Sequence, residues 1–327
     1  YAIDVLTKGI KSNTTHQNGQ MTTKTPDANT KPPLLTGAKQ TMLTWAKVLE
    51  SYSMIPEVYR DFFKTLLGSL QEFPYAVLAP PLHGFRHKTT EKLICEMNNT
   101  IYVLERAGTG FTAKGYPLKT IRDVEMGSIL LYSWITISGV TSEGVSSFST
   151  VEFNAVTSER FTPFISKIRP GTGGAGTPEL RAEQARFNNL ISASFKFMNY
   201  ARSSLVPGEK VLYTLWQPEL RERIDVVFSL PFYQTVSTAH LTILTDKELI
   251  LIRDDERVTP HKGTRYGGVW QYIPLRSIAS ASIAEQPEGL LTLSIGLSPN
   301  GHLDRIFALS SKAEVEHLQA LLQKRSS

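Results

Sequence analysis

Two stretches of this chain, CEMNNTIYVLER (Cys95–Arg106) and ILTDKELILIRD (Ile243–Asp254), align without a gap. Asn98 falls opposite Asp246 at a turn, and the apolar run Ile101–Leu104 falls opposite Leu249–Ile252. In each copy a Pro-Leu-basic segment follows, YPLKTI and IPLRSI, matching Pro117 with Pro274, Lys119 with Arg276 and Ile121 with Ile278. Each copy closes on a strand that feeds a Ser-capped helix, TVEFNAVTSERFTPFISKI and DRIFALSSKAEVEHLQALL. A repeat of about 150 residues is far longer than a solenoid unit of roughly 20–50, so it implies duplicated domains.

Periodicity assigns the elements within each copy. Asp246-Lys247 interrupts two apolar arms and predicts a hairpin, and Asn98-Asn99, a pair that tolerates left-handed backbone, predicts its counterpart. Leu249 and Leu251 share one strand face while Ile250 and Ile252 share the other, so at least one pair must be buried. Val58, Phe62, Leu66 and Leu70 recur at helical spacing behind Pro56. YAVLAPPL reads as a strand ended by a double proline, and the runs 129–140 and 146–156 continue as strands. Ser158 is placed to cap a helix carrying Phe161, Phe164, Ile165 and Ile168. In the second copy a long helical pattern covers 179–205, strands are expected at 210–218, 224–236, 272–283, 290–297 and 305–309, and Ser310 or Ser311 caps a last helix with Val315, Leu318, Leu321 and Leu322 on one face.

The expected organisation is a disordered tail over 1–40, a first domain over 41–170, a Gly/Pro linker over 171–178 and a second domain over 179–327. The linker PGTGGAGTP follows a helical pattern and lacks Gly-Lys-Ser/Thr, so it does not match a phosphate-cradling loop. Apolar residues make up 41% of 327, enough for a core in each half. No apolar run reaches the roughly 18 residues of a spanning helix. The single cysteine, Cys95, sits among apolar neighbours and reads as a buried structural thiol. With one cysteine no intramolecular disulfide forms, which suits a cytoplasmic protein. A formal charge of +5 permits contact with an anionic surface, but without dense Lys/Arg clusters and interleaved aromatics it disfavours nucleic acid.

The residues quoted above, in the order LTDKELILI, IPLRSI, LLTLSI and IFALSSKAEVEHLQALL, resemble the bacterial-type pleckstrin-homology (PH)-like domains, related to GRAM domains. The resemblance covers Gly208 to Lys324 closely and Phe73 to Ile168 more loosely. It implies a mainly β fold with helices (α+β): two PH-like antiparallel β-barrels or sandwiches, each with a C-terminal capping helix and a preceding helix. It also implies a binding or scaffold module whose partner is a protein or an anionic lipid head group, at the inner membrane surface in the latter case. Homo-oligomerisation stays open.

Site chemistry is sparse in the sequence. His83 and His87 have metal-like spacing, but their Pro- and Gly-containing loop would not hold them on one face, so no metal site is assigned. No GxSxG or HExxH occurs; the reading is a non-enzyme without cofactor. The candidate anionic-ligand loop comprises Arg86, His87, Lys88 and Lys92, with Lys262 and Arg265 added from a second basic turn. The alternative function is a small-molecule-binding or hydrolytic protein using the barrel mouth, which polar groups converging in a cavity would favour.

Overall fold

A computed structural model describes residues 42–67, 72–82, 88–172, 174, 176–227, 230–257 and 265–326. The expectation for 1–40 lies outside them. The first half runs β1 (Lys47–Leu49), α1 (Glu57–Leu67), β2 (Ala76–Ala79), β3 (Lys92–Met97), β4 (Thr100–Ala107), β5 (Gly110–Pro117), β6 (Ile121–Ile129), β7 (Tyr132–Val140), β8 (Ser146–Asn154) and α2 (Thr162–Ile168). The second runs α3 (Pro178–Ala185), α4 (Phe195–Ser204), β9 (Val211–Gln217), β10 (Leu220–Val227), β11 (Leu230–Ser237), β12 (His240–Thr245), β13 (Glu248–Arg253), β14 (Gly268–Pro274), β15 (Ile278–Gln286), β16 (Leu290–Leu297), β17 (Gly301–Ala308) and α5 (Lys312–Ser326).

The repeat survives folding in detail. Pro117 and Pro274 each precede a one-turn 3-10 helix, Leu118–Thr120 and Leu275–Ser277. The amides of Leu118 and Leu275 donate to the matched carbonyls of Asn99 and Lys247, at 2.8 and 3.0 Å. The next strand bulges one residue later in both copies, at Arg122 and at Ala279. A Pro-Leu-basic segment therefore encodes one corner twice: proline fixes φ, the turn reverses direction, and the bulge tightens the bend into the following meander.

All strand pairs are antiparallel. One sheet has the order β1-β2-β3-β4-β5, one β15-β16-β17, and β10-β11 form a separate ribbon. The largest sheet, β8-β7-β6-β14-β13-β12-β9, takes three strands from the first half and four from the second. Its seam is β6 against β14, with Met126 opposite Trp270 and Val124 opposite Tyr272. No sheet among the described residues closes into a barrel, which corrects the barrel form of the expectation. A sheet edge left open exposes unpaired N–H and C=O groups, and here the two open edges satisfy one another. The largest sheet draws strands from either side of the segment 171–178, and Thr172 within that segment donates its amide to the Pro207 carbonyl at 2.8 Å.

Each half carries an inner core and an outer helical layer. In the first, Ile94 and Val103 pack inward with Ile135, Val151 and the α2 residues Phe164, Ile165 and Ile168. Outward, Leu93, Cys95 and Leu104 lie beneath Tyr59 and Phe63 of α1. In the second, Leu249 and Leu251 meet Leu293, Ile295, Phe307 and the α5 residues Val315, Leu318 and Leu322, while Ile250 and Ile252 lie beneath Phe197, Met198 and Ala201 of α4. Burial on both faces explains why β13 reads as a continuous apolar run over Leu249–Ile252, each enclosed side chain contributing about 1.5–3 kcal/mol. The predicted helix over 179–205 is broken between α3 and α4 by a 3-10 turn at Arg186–Leu190, where Phe187 and Leu190 turn into this layer.

Candidate functional site: a cleft across the shared sheet

Register along the seven strands defines one row of directly opposed residues: Glu152, Trp134, Gly127, Val269, Arg253, His240 and Gln217. The next row on the same face holds Thr150, Thr136, Glu125, Gln271, Leu251, Thr242 and Leu215. Opposed residues in a sheet share a face, so these rows carry the outer face of β6–β8 directly into the inner face of the second half. The second row is polar at the seam, at Glu125 and Gln271, and turns apolar within the second half at Leu251 and Leu215.

Above the first-half part of the rows lies a cleft of about 460 Å³, walled by Tyr132, Trp134, Thr136 and Glu152 on one side and by Arg253, Asp255, Glu256 and Arg257 on the other. Trp134 lies flat over β6 because residue 127 has no side chain; a Cβ there would fall 2.0 Å from the indole. The indole Nε1 donates to Glu125 Oε1 at 2.9 Å, and Arg253 Nη2 donates to Glu125 Oε2 at 3.1 Å. The Arg257 guanidinium sits 4.4 Å above the Trp134 ring and pairs with Asp255 at 2.5 Å. Burial raises Asp255, but hydrogen bonds from Arg257 outweigh it and hold the carboxyl below its ordinary value. Burial, then the Glu152 carboxylate, push the Tyr132 phenol up. Arg257 keeps 54% of its side chain exposed, so this cation covers an aromatic face from which it can swing away.

Of the sequence-predicted anionic-ligand residues, Lys88, Lys92 and Arg265 fall among the described residues. Lys88 is exposed beside the start of β3. Lys92 lies within β3, 7% exposed, with Nζ 2.5 Å from Glu152. Arg265 is likewise 7% exposed; it contacts Glu219 at 3.4 Å and its carbonyl accepts from Lys196 at 2.6 Å. Both side chains are paired with carboxylates inside the fold, and Lys92 stands in a strand where the sequence placed it in a loop. Arg86, His87 and Lys262, and also His83, lie outside the described residues. Cys95 is buried, and burial pushes its thiol up. No group of three metal-ligating side chains occurs among the described residues.

Sequence reasoning missed Trp134, Glu125, Arg253 and Arg257. The alternation of β7, YSWITISGV, placed Ile135 and Ile137 inside and so Trp134 and Thr136 outside, a legible signal for a half-polar strand. What it could not give was that β14 of the other repeat would lie beside β6. No protein-family model matches the chain, and no curated protein does.

Proposed function

We propose that the chain is a non-catalytic binding and scaffold protein made of two PH-like units, and that the cleft over their shared sheet receives an extended peptide bearing a basic side chain. The PH-like reading draws support from an element order common to both halves once β1 and the ribbon β10-β11 are set aside: four strands (β2–β5; β9 and β12–β14), a Pro-Leu-basic corner, a three-strand meander and a helix. The observation that carries the binding site is the stacked Arg257: an arginine of the chain itself occupies an aromatic slot between Asp255 and Trp134, with Glu125, Glu152 and Glu256 around it. A partner's arginine or lysine that displaced it would meet the same ring and carboxylates, a contact of about 0.5–2 kcal/mol for the ring alone. Walls from both halves would make such a partner sensitive to their relative placement.

Attachment to an anionic membrane surface has less support, since Lys92 and Arg265 already neutralise carboxylates. No helix among the described residues is long and apolar enough to cross a membrane.

Titration of the chain with short basic and acidic peptides, read by tryptophan fluorescence, tests the proposal. Basic peptides should bind saturably, more tightly to Arg257→Ala and more weakly to Glu256→Lys. Equal response to both peptide classes, or no change in either variant, would overturn it.

A further inference from the structure

The way the cleft holds its own arginine distinguishes one kind of cation from another. Arg257 turns its guanidinium face to the Trp134 ring, 4.4 Å from the centroid, and its edge to Asp255, with Nε donating to Oδ1 at 2.9 Å and Nη2 to Oδ2 at 2.5 Å. Face to ring and edge to carboxylate are contacts that a planar fork of donors makes at once. A lysine ammonium is a compact point charge, so it meets the carboxylate without the parallel pair of N–H bonds and has no flat face to lay on the ring.

Both walls are held independently of the Arg257 side chain. The indole is seated over Gly127 and tied through Nε1 to Glu125 Oε1 at 2.9 Å. The Asp255 carboxylate accepts from the Arg257 backbone amide at 2.8 Å, a bond that stays when the side chain swings out. Asp255 lines the cleft, and every hydrogen bond its carboxylate accepts among the described residues comes from Arg257. Withdrawal of that half-exposed side chain therefore leaves a slot already shaped for another guanidinium.

Charge narrows the partner further. Of the four carboxylates on the cleft walls, Glu125 pairs with Arg253 at 3.1 Å, Glu152 with Lys92 at 2.5 Å and Asp255 with Arg257. The fourth, Glu256, is exposed and makes no ion pair among the described residues. Once Arg257 has moved aside, Asp255 and Glu256 both lack a cation.

We infer that the slot selects arginine over lysine, and that the partner segment carries a second basic residue beside that arginine: the arginine replaces Arg257 between Trp134 and Asp255, and its basic neighbour meets Glu256. Arg257 is then a built-in competitor, lowering the apparent affinity of every partner by the fraction of time it fills the slot. The inference rests on the peptide reading of the cleft and goes beyond it in naming the side chains that are read.

Short uncharged host peptides carrying one arginine, one lysine, or an arginine followed by a lysine test it by calorimetry on the full chain. At about 0.15 M salt, contacts between exposed charges are largely screened, so a difference between equal charges reports the fork and the stack. The arginine peptide should bind at least roughly threefold more tightly than the lysine peptide, the increment of one further charge-assisted hydrogen bond, and the arginine–lysine peptide tighter again by a similar factor. Asp255→Asn keeps an oxygen for the Arg257 amide and should bring the arginine and lysine peptides to equal affinity. Glu256→Gln should remove only the gain from the second basic residue. If a variant fails to melt cooperatively, the unaltered chain's ranking of the three peptides decides. Equal affinity for the arginine and lysine peptides in the unaltered chain would overturn the arginine selection while leaving the basic-peptide reading in place. A second basic residue that adds no affinity would overturn the role of Glu256. Binding no tighter than that of the uncharged host would overturn both the inference and the reading beneath it.

Discussion

Arg169, the residue that ends α2, donates from Nε to Glu248 Oε1 at 2.9 Å, at the first position of the hairpin strand β13 in the other repeat. Its Nη2 donates to the Ser204 carbonyl at 2.8 Å, Glu209 lies 3.8 Å away, and the guanidinium stacks 3.6 Å from the Tyr272 ring. Two carboxylates, one cation and one aromatic ring are thus enclosed where the halves meet. Replacing Arg169 by Met would leave the Glu248 carboxylate buried without its cation, a change that typically costs about 3–5 kcal/mol. Denaturant unfolding of Arg169→Met should show that loss with an unchanged slope.

The same cluster gives a pH dependence with a definite sign. Burial, and then the adjacent Glu248, raise Glu209 from 4.5 to about 8, so near neutral pH the folded chain holds a proton that the unfolded chain has released. Stability from this group therefore falls as pH rises through that interval. His240 acts oppositely below its ordinary 6.5, where the unfolded chain takes up a proton that the buried ring refuses. Between about 6.5 and about 8 Glu209 acts without that opposition, and the melting temperature should decline there. Glu209→Gln should flatten the decline over the same pH range.

Both faces of the repeated hairpin are interior. Leu249 is packed against the second core and Ile250 beneath α4, each fully buried. Leu249→Ala and Ile250→Ala should each cost about 2–5 kcal/mol. Equilibrium unfolding with urea measures both.

Gly127 is where the seam and the cleft meet. In Gly127→Ala the new methyl would displace the Trp134 indole from Glu125, and overpacking of this kind costs about 1–3 kcal/mol. The tryptophan emission should shift as the ring leaves its bond, and basic-peptide binding should weaken with it.

Much of each half was legible because its signals are local. The Asn98-Asn99 turn has both residues in left-handed backbone, at φ 52° and 58°, as the dipeptide demands. The Pro-Leu-basic corner, the alternation of β16 and the stripe of α5 likewise follow from spacing within one element. Strand β1 and the ribbon β10-β11 were less legible, since three residues carry no period and β10, LRERIDVV, has four charges among eight residues. The seam could not be read at all. Nothing within RDVEMGSI or GVWQYIP specifies that these two strands, over a hundred residues apart, would pair; it depends on which edges the folded halves leave open. The candidate site inherits that limit, for its two walls come from different repeats.

The joined sheet is the claim on which the cleft and the row of polar residues depend, and hydrogen exchange reads it directly. In the full chain the amides of 124–128 and 268–272 should be protected to the degree of the interior strands β7 and β13. Exchange there at the rate of an exposed edge, with β7 and β13 still protected, would mean that the halves fold side by side without sharing a sheet.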